Sequence, residues 1–93
     1  MKNAQYKKEL IQVLLNASKD EVLFEALIHD FLTESEESQL PIRWQIIKRL
    51  HAGATQRKIA EDLGVGIATV TRGSEELHDT KGGFYQYLQK YQS

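Results

Sequence analysis

Residues 56–72, reading QRKIAEDLGVGIATVTR, hold the side chains whose types and spacing bear most directly on chemistry. Thr55 can cap a short helix running to Leu63, and Gly64 is placed to end it in a left-handed conformation. A second helix then starts near Ile67 and runs to about His78. Two short helices cross at a wide angle only under three conditions: a small residue where the first faces the second, a turn that tolerates positive φ, and apolar residues pointing into the crossing. Ala60 is the small residue, Gly64 the turn, and Ile59, Leu63, Val65 and Val70 the apolar set. This is a helix-turn-helix over about residues 56–78, an arrangement that places its second helix in the DNA major groove. Gly66, Ile67, Ala68, Thr69 and Thr71 are small, apolar or hydroxylated, and suit approach to base edges and thymine methyls. A free helix N-terminus there favours phosphate. Gln56, Arg57 and Lys58 open the first helix, where they would face the DNA backbone.

The elements that must position this motif read as helices throughout. Over residues 6–15 the apolar side chains Tyr6, Leu10, Ile11, Val13, Leu14 and Leu15 fall at three-and-four spacing. Ser18 followed by Glu21 is a capping-box pattern that predicts a second helix through Val22, Leu23, Phe24, Leu27, Ile28 and Phe31. Thr33 followed by Glu36 is another, and predicts a third helix to Ala52, stopped by Gly53. Pro41 lies inside it and predicts a kink or break near residues 39–40. Residues 81–83 interrupt the chain before a last short helix carrying Phe84, Tyr87, Leu88 and Tyr91. Strand-like alternation is missing, so the expected class is all-α, with five to six helices in a single domain over residues 1–93.

Twelve Lys and Arg against thirteen Asp and Glu give 93 residues a net charge of −1, which by itself argues weakly against a polyanion partner. The distribution says more. Residues 1–19 carry +3, residues 20–39 carry −7, residues 43–72 carry +4 and residues 73–93 carry −1, so the basic block contains the reading motif. A chain this short has a modest core that self-association would help. It has no cysteine, which excludes disulfides and thiolate metal sites, and no apolar run long enough for a membrane. No signal-like segment opens it, so the expected location is the cytoplasm. His29, His51 and His78 share no metal-ligand spacing, and neither a nucleophile–base ordering nor a phosphate loop is present. Neither a metal nor catalysis is expected. Trp44 reads as core or dimer interface, and Tyr85, Tyr87 and Tyr91 read as packing against a partner chain.

The stretch GIATVTRGS at 66–74, preceded by TQRKIAEDLG, closely resembles the Trp repressor family. The likeness extends through Leu32-Thr33 and IRWQIIKRL at 42–50, covering about residues 30–78. It implies an intertwined all-helical homodimer whose two reading heads meet successive major grooves, with L-tryptophan as corepressor between core and head. By resemblance, Thr33 and Arg43 hold the ligand carboxylate, Arg72 lies beside the ligand, and Gly73 lets the indole approach the backbone. Planar guanidinium donors suit a carboxylate, and side-chain stems suit an indole. Glu76 stands where the family has a Ser facing the ligand amino group, and a carboxylate there could pair with an α-ammonium. His78 replaces a phosphate-binding Lys, which implies a weaker, pH-dependent contact. Residues 53–56 are one residue shorter than the family turn, and Pro41 sits where the family has a continuous helix.

The expected protein is therefore a sequence-specific, L-tryptophan-dependent transcriptional repressor, dimeric on palindromic double-stranded operator DNA. Two readings stay open beside it: a regulator of the same fold answering to another ligand or none, and a helical dimerisation module that does not bind DNA.

Overall fold

A computed structural model of the chain describes residues 2–92, which form six helices and, among the described residues, no strand. They are α1 (Lys2–Ala17), α2 (Glu21–Phe31), α3 (Glu34–His51), α4 (Gln56–Leu63), α5 (Ile67–His78) and α6 (Gly83–Tyr91). The all-α expectation holds. The chain divides into two compact units, residues 1–38 and residues 39–93.

In the first unit α1 packs on α2, half-burying Leu14, Phe24, Leu27 and Ile28. Ser18 does not cap α2. Its N–H still bonds back to Leu14 at 2.9 Å and its hydroxyl donates to the Leu15 carbonyl at 2.7 Å, so it closes α1 instead. Asp20 is the cap: its backbone is extended and its carboxylate accepts the Leu23 N–H at 3.2 Å. A carboxylate at that position also meets the positive end of the helix dipole. At the start of α3 the predicted capping box forms, with Thr33 Oγ1 accepting the Glu36 N–H at 3.2 Å and Glu36 Oε1 accepting the Thr33 N–H at 2.9 Å.

Pro41 does not break α3, which runs through it from Glu34 to His51. Proline removes the hydrogen bond to the carbonyl four residues back. Here the helix has a closed cap before that gap and a buried apolar face after it, formed by Ile46 and Ile47. Gly53, at φ +94°, then ends the helix in the left-handed region, with the Ala54 N–H returning to the Arg49 carbonyl at 3.0 Å.

The core of the second unit joins three helices: Ile46 of α3, Ile59 of α4 and Val70 of α5 are fully buried. Ile42, Leu50, Ala54, Ala60, Leu63 and Val65 surround them. α6 packs on α5, and its Tyr87 ring meets Trp44 edge-on with centroids 5.5 Å apart. Tyr87 thus has an aromatic neighbour within its own chain and stands 4.9 Å from the ring of Tyr91. Tyr85 is half-buried.

Candidate nucleic-acid interface and ligand residues

The helix-turn-helix is built by short-range rules. Thr55 caps α4 by accepting the Lys58 N–H at 3.2 Å. Gly64, at φ +66° and ψ +35°, ends α4 and turns the chain, and the Val65 N–H bonds to the Ala60 carbonyl at 3.1 Å. A side chain at such φ is strained, which is why glycine fits here. α5 begins after Gly66, an N-cap without a side chain; the Thr69 N–H turns back to the Gly66 carbonyl at 3.1 Å, and no side chain caps the N–H groups of Ile67 and Ala68. Val70 points inward and is fully buried, while Ile67, Ala68 and Thr69 face solvent. Ile67 is 52% exposed, which leaves its side chain free to meet an apolar group such as a thymine methyl.

Gln56 and Thr71 are half-buried and linked across the motif. The Thr71 hydroxyl lies 2.7 Å from Gln56 Oε1 and 3.0 Å from the Ile67 carbonyl, so its proton is held inside the head. That contact fixes the α4–α5 crossing with a side-chain bond in addition to the apolar cluster. The Gln56 amide nitrogen makes no hydrogen bond among the described residues.

The cations of α4 and α5 differ in what holds them. Arg57 is exposed and has no ion pair or hydrogen bond among the described residues. Lys58 Nζ lies 3.1 Å from Asp62 Oδ1, and the other oxygen of that carboxylate is 3.7 Å from Arg49 Nη1 of α3. Arg72 Nε lies 3.7 Å from Glu76 Oε1, one turn along α5. His78 is exposed, with Nδ1 2.6 Å from the Ser74 carbonyl, so that nitrogen carries the proton and donates.

Among the residues assigned to a ligand, the fold brings Arg72 and Glu76 together and sets Gly73 beside Arg72 on the buried side of α5. The Arg72 guanidinium is 77% exposed and open to an anion. A Cβ added to Gly73 would lie 2.9 Å from Ile46 Cγ2, so this glycine lets α5 approach α3. Arg43 is exposed and donates to Gln39 Oε1 at 3.3 Å. Thr33, in the first unit, accepts the Glu36 N–H on its hydroxyl oxygen and keeps a hydroxyl proton to donate. A cleft of about 370 Å³ at the ends of α3, α5 and α6 is lined by His51, Ser74, His78 and Tyr85 among others, and by none of these five ligand residues.

The match to known proteins covers nearly the whole chain: the model of the family described as Trp repressor protein fits residues 5–92. The chain belongs to the Trp repressor family. It is similar to a Trp operon repressor homolog of Photobacterium profundum, 40% identical over 91% of this chain and 86% of that protein. It is similar also to one from Chlamydia trachomatis serovar D, 40% identical over 83% of each chain. A third, from Vibrio campbellii, is 43% identical over 69% of this chain and 65% of its own length. Membership of the Trp repressor family makes the protein a transcription regulator of the tryptophan-repressor type and not an enzyme. No helix among the described residues is long and apolar enough to cross a membrane, and no group of three or more His, Asp or Glu among them could hold a metal ion.

Two features of the head carry no motif signature. The Gln56–Thr71 bond joins residues fifteen positions apart, and only the crossing of α4 and α5 brings them together. Asp62 lies four residues after Lys58, a spacing that does favour a pair on one helix face, but the sequence gives no sign that Arg49 shares it.

Proposed function

We propose that the protein is a cytoplasmic, sequence-specific transcriptional repressor that binds double-stranded operator DNA as a homodimer and responds to L-tryptophan. The observation that carries this is the reading head: α5 exposes Ile67, Ala68 and Thr69 at an N-terminus without a side-chain cap, over a buried Val70, beside Arg57, which pairs with no acid among the described residues. Family membership adds weight. α5 would enter the major groove with its first turns on base edges, partly through water, while Arg57 and the α5 N-terminus hold phosphates. His78 on α5 is the further candidate for backbone contact; Lys58 is one by its position on α4 but its ammonium is held on Asp62, and Gln56 and Thr71 set the angle of the head.

The ligand would act by binding better to the arrangement in which two heads stand about one DNA turn apart, roughly 34–36 Å, than to other arrangements, and so shift the population toward it. Thr33, Arg43 and Arg72 would meet its carboxylate, Gly73 its ring and Glu76 its ammonium. A bound carboxylate has to draw Arg72 from Glu76, and the α-ammonium of the same ligand then satisfies Glu76.

The test combines selection of binding sites from a random duplex pool, with and without L-tryptophan, and calorimetry of the free protein. A palindromic consensus enriched only with the amino acid is expected, along with heat of binding at millimolar ligand or below. Normal DNA binding without any ligand heat would sink the tryptophan assignment. Arg57→Gln should weaken duplex binding and flatten its salt dependence. An unchanged affinity would instead favour a dimerisation module. Arg72→Ala should remove the response to L-tryptophan.

A further inference from the structure

The basic block at 43–72 carries its own counter-ions. We propose that Asp62 withholds Lys58 from DNA phosphate, leaving Arg57 as the cation of α4 that engages the duplex. This rests on the DNA-binding reading above and assigns a specificity-determining role within the same head.

Three side chains on two helices define the arrangement. On α4, Asp62 leans back toward the helix N-terminus, as helical side chains do, and its Oδ1 stands 3.1 Å from Lys58 Nζ. Its Oδ2 stands 3.7 Å from Arg49 Nη1 on α3. A Lys placed N-terminal to its acid is the weaker order of an i,i+4 pair, so helix geometry alone does not hold this contact. Arg49 orients the carboxylate from the neighbouring element, and at 37% side-chain exposure Asp62 is only partly in solvent. A phosphate approaching Lys58 has to compete with a carboxylate already in place and meets the negative charge of Asp62 as well. Arg57, one residue earlier, has Glu61 at the same spacing, but no ion pair joins the two and no second helix brings a cation to orient that carboxylate among the described residues.

The consequence is a head whose sequence-independent attraction for DNA is smaller than its count of basic residues implies. Backbone attraction governs non-specific binding and does not distinguish one site from another. Withholding Lys58 leaves discrimination to α5 and lets the positioning of the heads decide whether the protein stays on DNA.

The proposal is tested with the full chain and a random-sequence duplex, by fluorescence anisotropy at several salt concentrations between about 50 and 200 mM. Lys58→Gln is expected to leave both affinity and the log–log salt slope at wild-type values. Asp62→Asn is expected to raise affinity severalfold at about 50 mM salt and steepen the slope by about 0.9 per head, as one more phosphate contact would. The double variant Asp62→Asn/Lys58→Gln should lose that increment. The proposal is overturned by a flatter slope for Lys58→Gln alone, or by an Asp62→Asn gain that survives in the double variant. Arg49→Gln removes the neighbour that orients Asp62, so a slope between those of wild type and Asp62→Asn is expected, returning to the wild-type value when Lys58→Gln is added; a steeper slope that survives Lys58→Gln would overturn the proposal. Absence of salt-dependent duplex binding in every variant would remove the DNA-binding reading itself, and this proposal with it.

Discussion

At Gly73 two explanations for one residue can be separated by experiment. The family resemblance gives this glycine to the ligand ring, whereas the fold places it under Ile46 and Ile47, where a Cβ would stand 2.9 Å from Ile46 Cγ2 and 3.6 Å from Ile47 Cδ1. Both neighbours are fully buried and cannot swing away. Gly73→Ala should therefore cost about 1–3 kcal/mol of stability, seen as a lower thermal midpoint. Adding Ile46→Leu moves the branch off Cβ, removes Cγ2 from this contact at nearly constant volume, and should recover part of that loss. If the recovered double variant still fails to bind L-tryptophan, the ligand role of Gly73 stands beside its packing role. Thr33 has a comparable double duty. Its oxygen accepts the Glu36 N–H, so Thr33→Val should cost about 1 kcal/mol, with Thr33→Ser retaining most of it in the same melt.

The elements differ in how openly the sequence announced them. Thr55, Gly64, Gly53 and the Thr33–Glu36 box were legible because caps and left-handed turns are settled within four or five residues. Ser18 misled because two acceptable caps lay two residues apart, and α1 claimed the serine before α2 could use it. The break allowed for at Pro41 does not occur, for a different reason: the lost backbone bond is local, but the burial that outweighs it is not. With α3 continuous, Pro41→Ala should restore an N–H and raise stability by about 1–3 kcal/mol, measured by denaturant unfolding. Gly64→Ala should do the reverse by about 1 kcal/mol, since φ +66° is strained for any side chain there.

Over the whole molecule, the uneven burial of the two units bears on assembly. Among the described residues of the first unit, Ala17 is the one fully buried side chain, while Tyr6, Leu15, Val22, Leu23 and Phe31 are exposed, Val22 at 80%. A chain that leaves so much apolar surface on α1 and α2 gains by covering it, and the proposed homodimer supplies the cover. The thermal midpoint should then rise with protein concentration, as it does when association stabilises the folded state, and sedimentation should give twice the 10.7 kDa chain mass. A concentration-independent midpoint at the monomer mass would count against the homodimer.

Local chemistry was enough to determine the helices, the turn at Gly64, the exposed small residues of α5 and the basic block around them, and those features sufficed to recognise the family from the chain alone. The tertiary structure decided which of these groups are available. Asp62 takes Lys58 while Arg49 approaches from another helix, Gln56 takes the Thr71 hydroxyl, Ile46 covers Gly73, and Tyr87 meets Trp44 across forty-three residues. Spacing along the chain fixes which side chains share a helix face, but only the packing of one helix on another brings side chains from two of them within hydrogen-bonding or van der Waals reach.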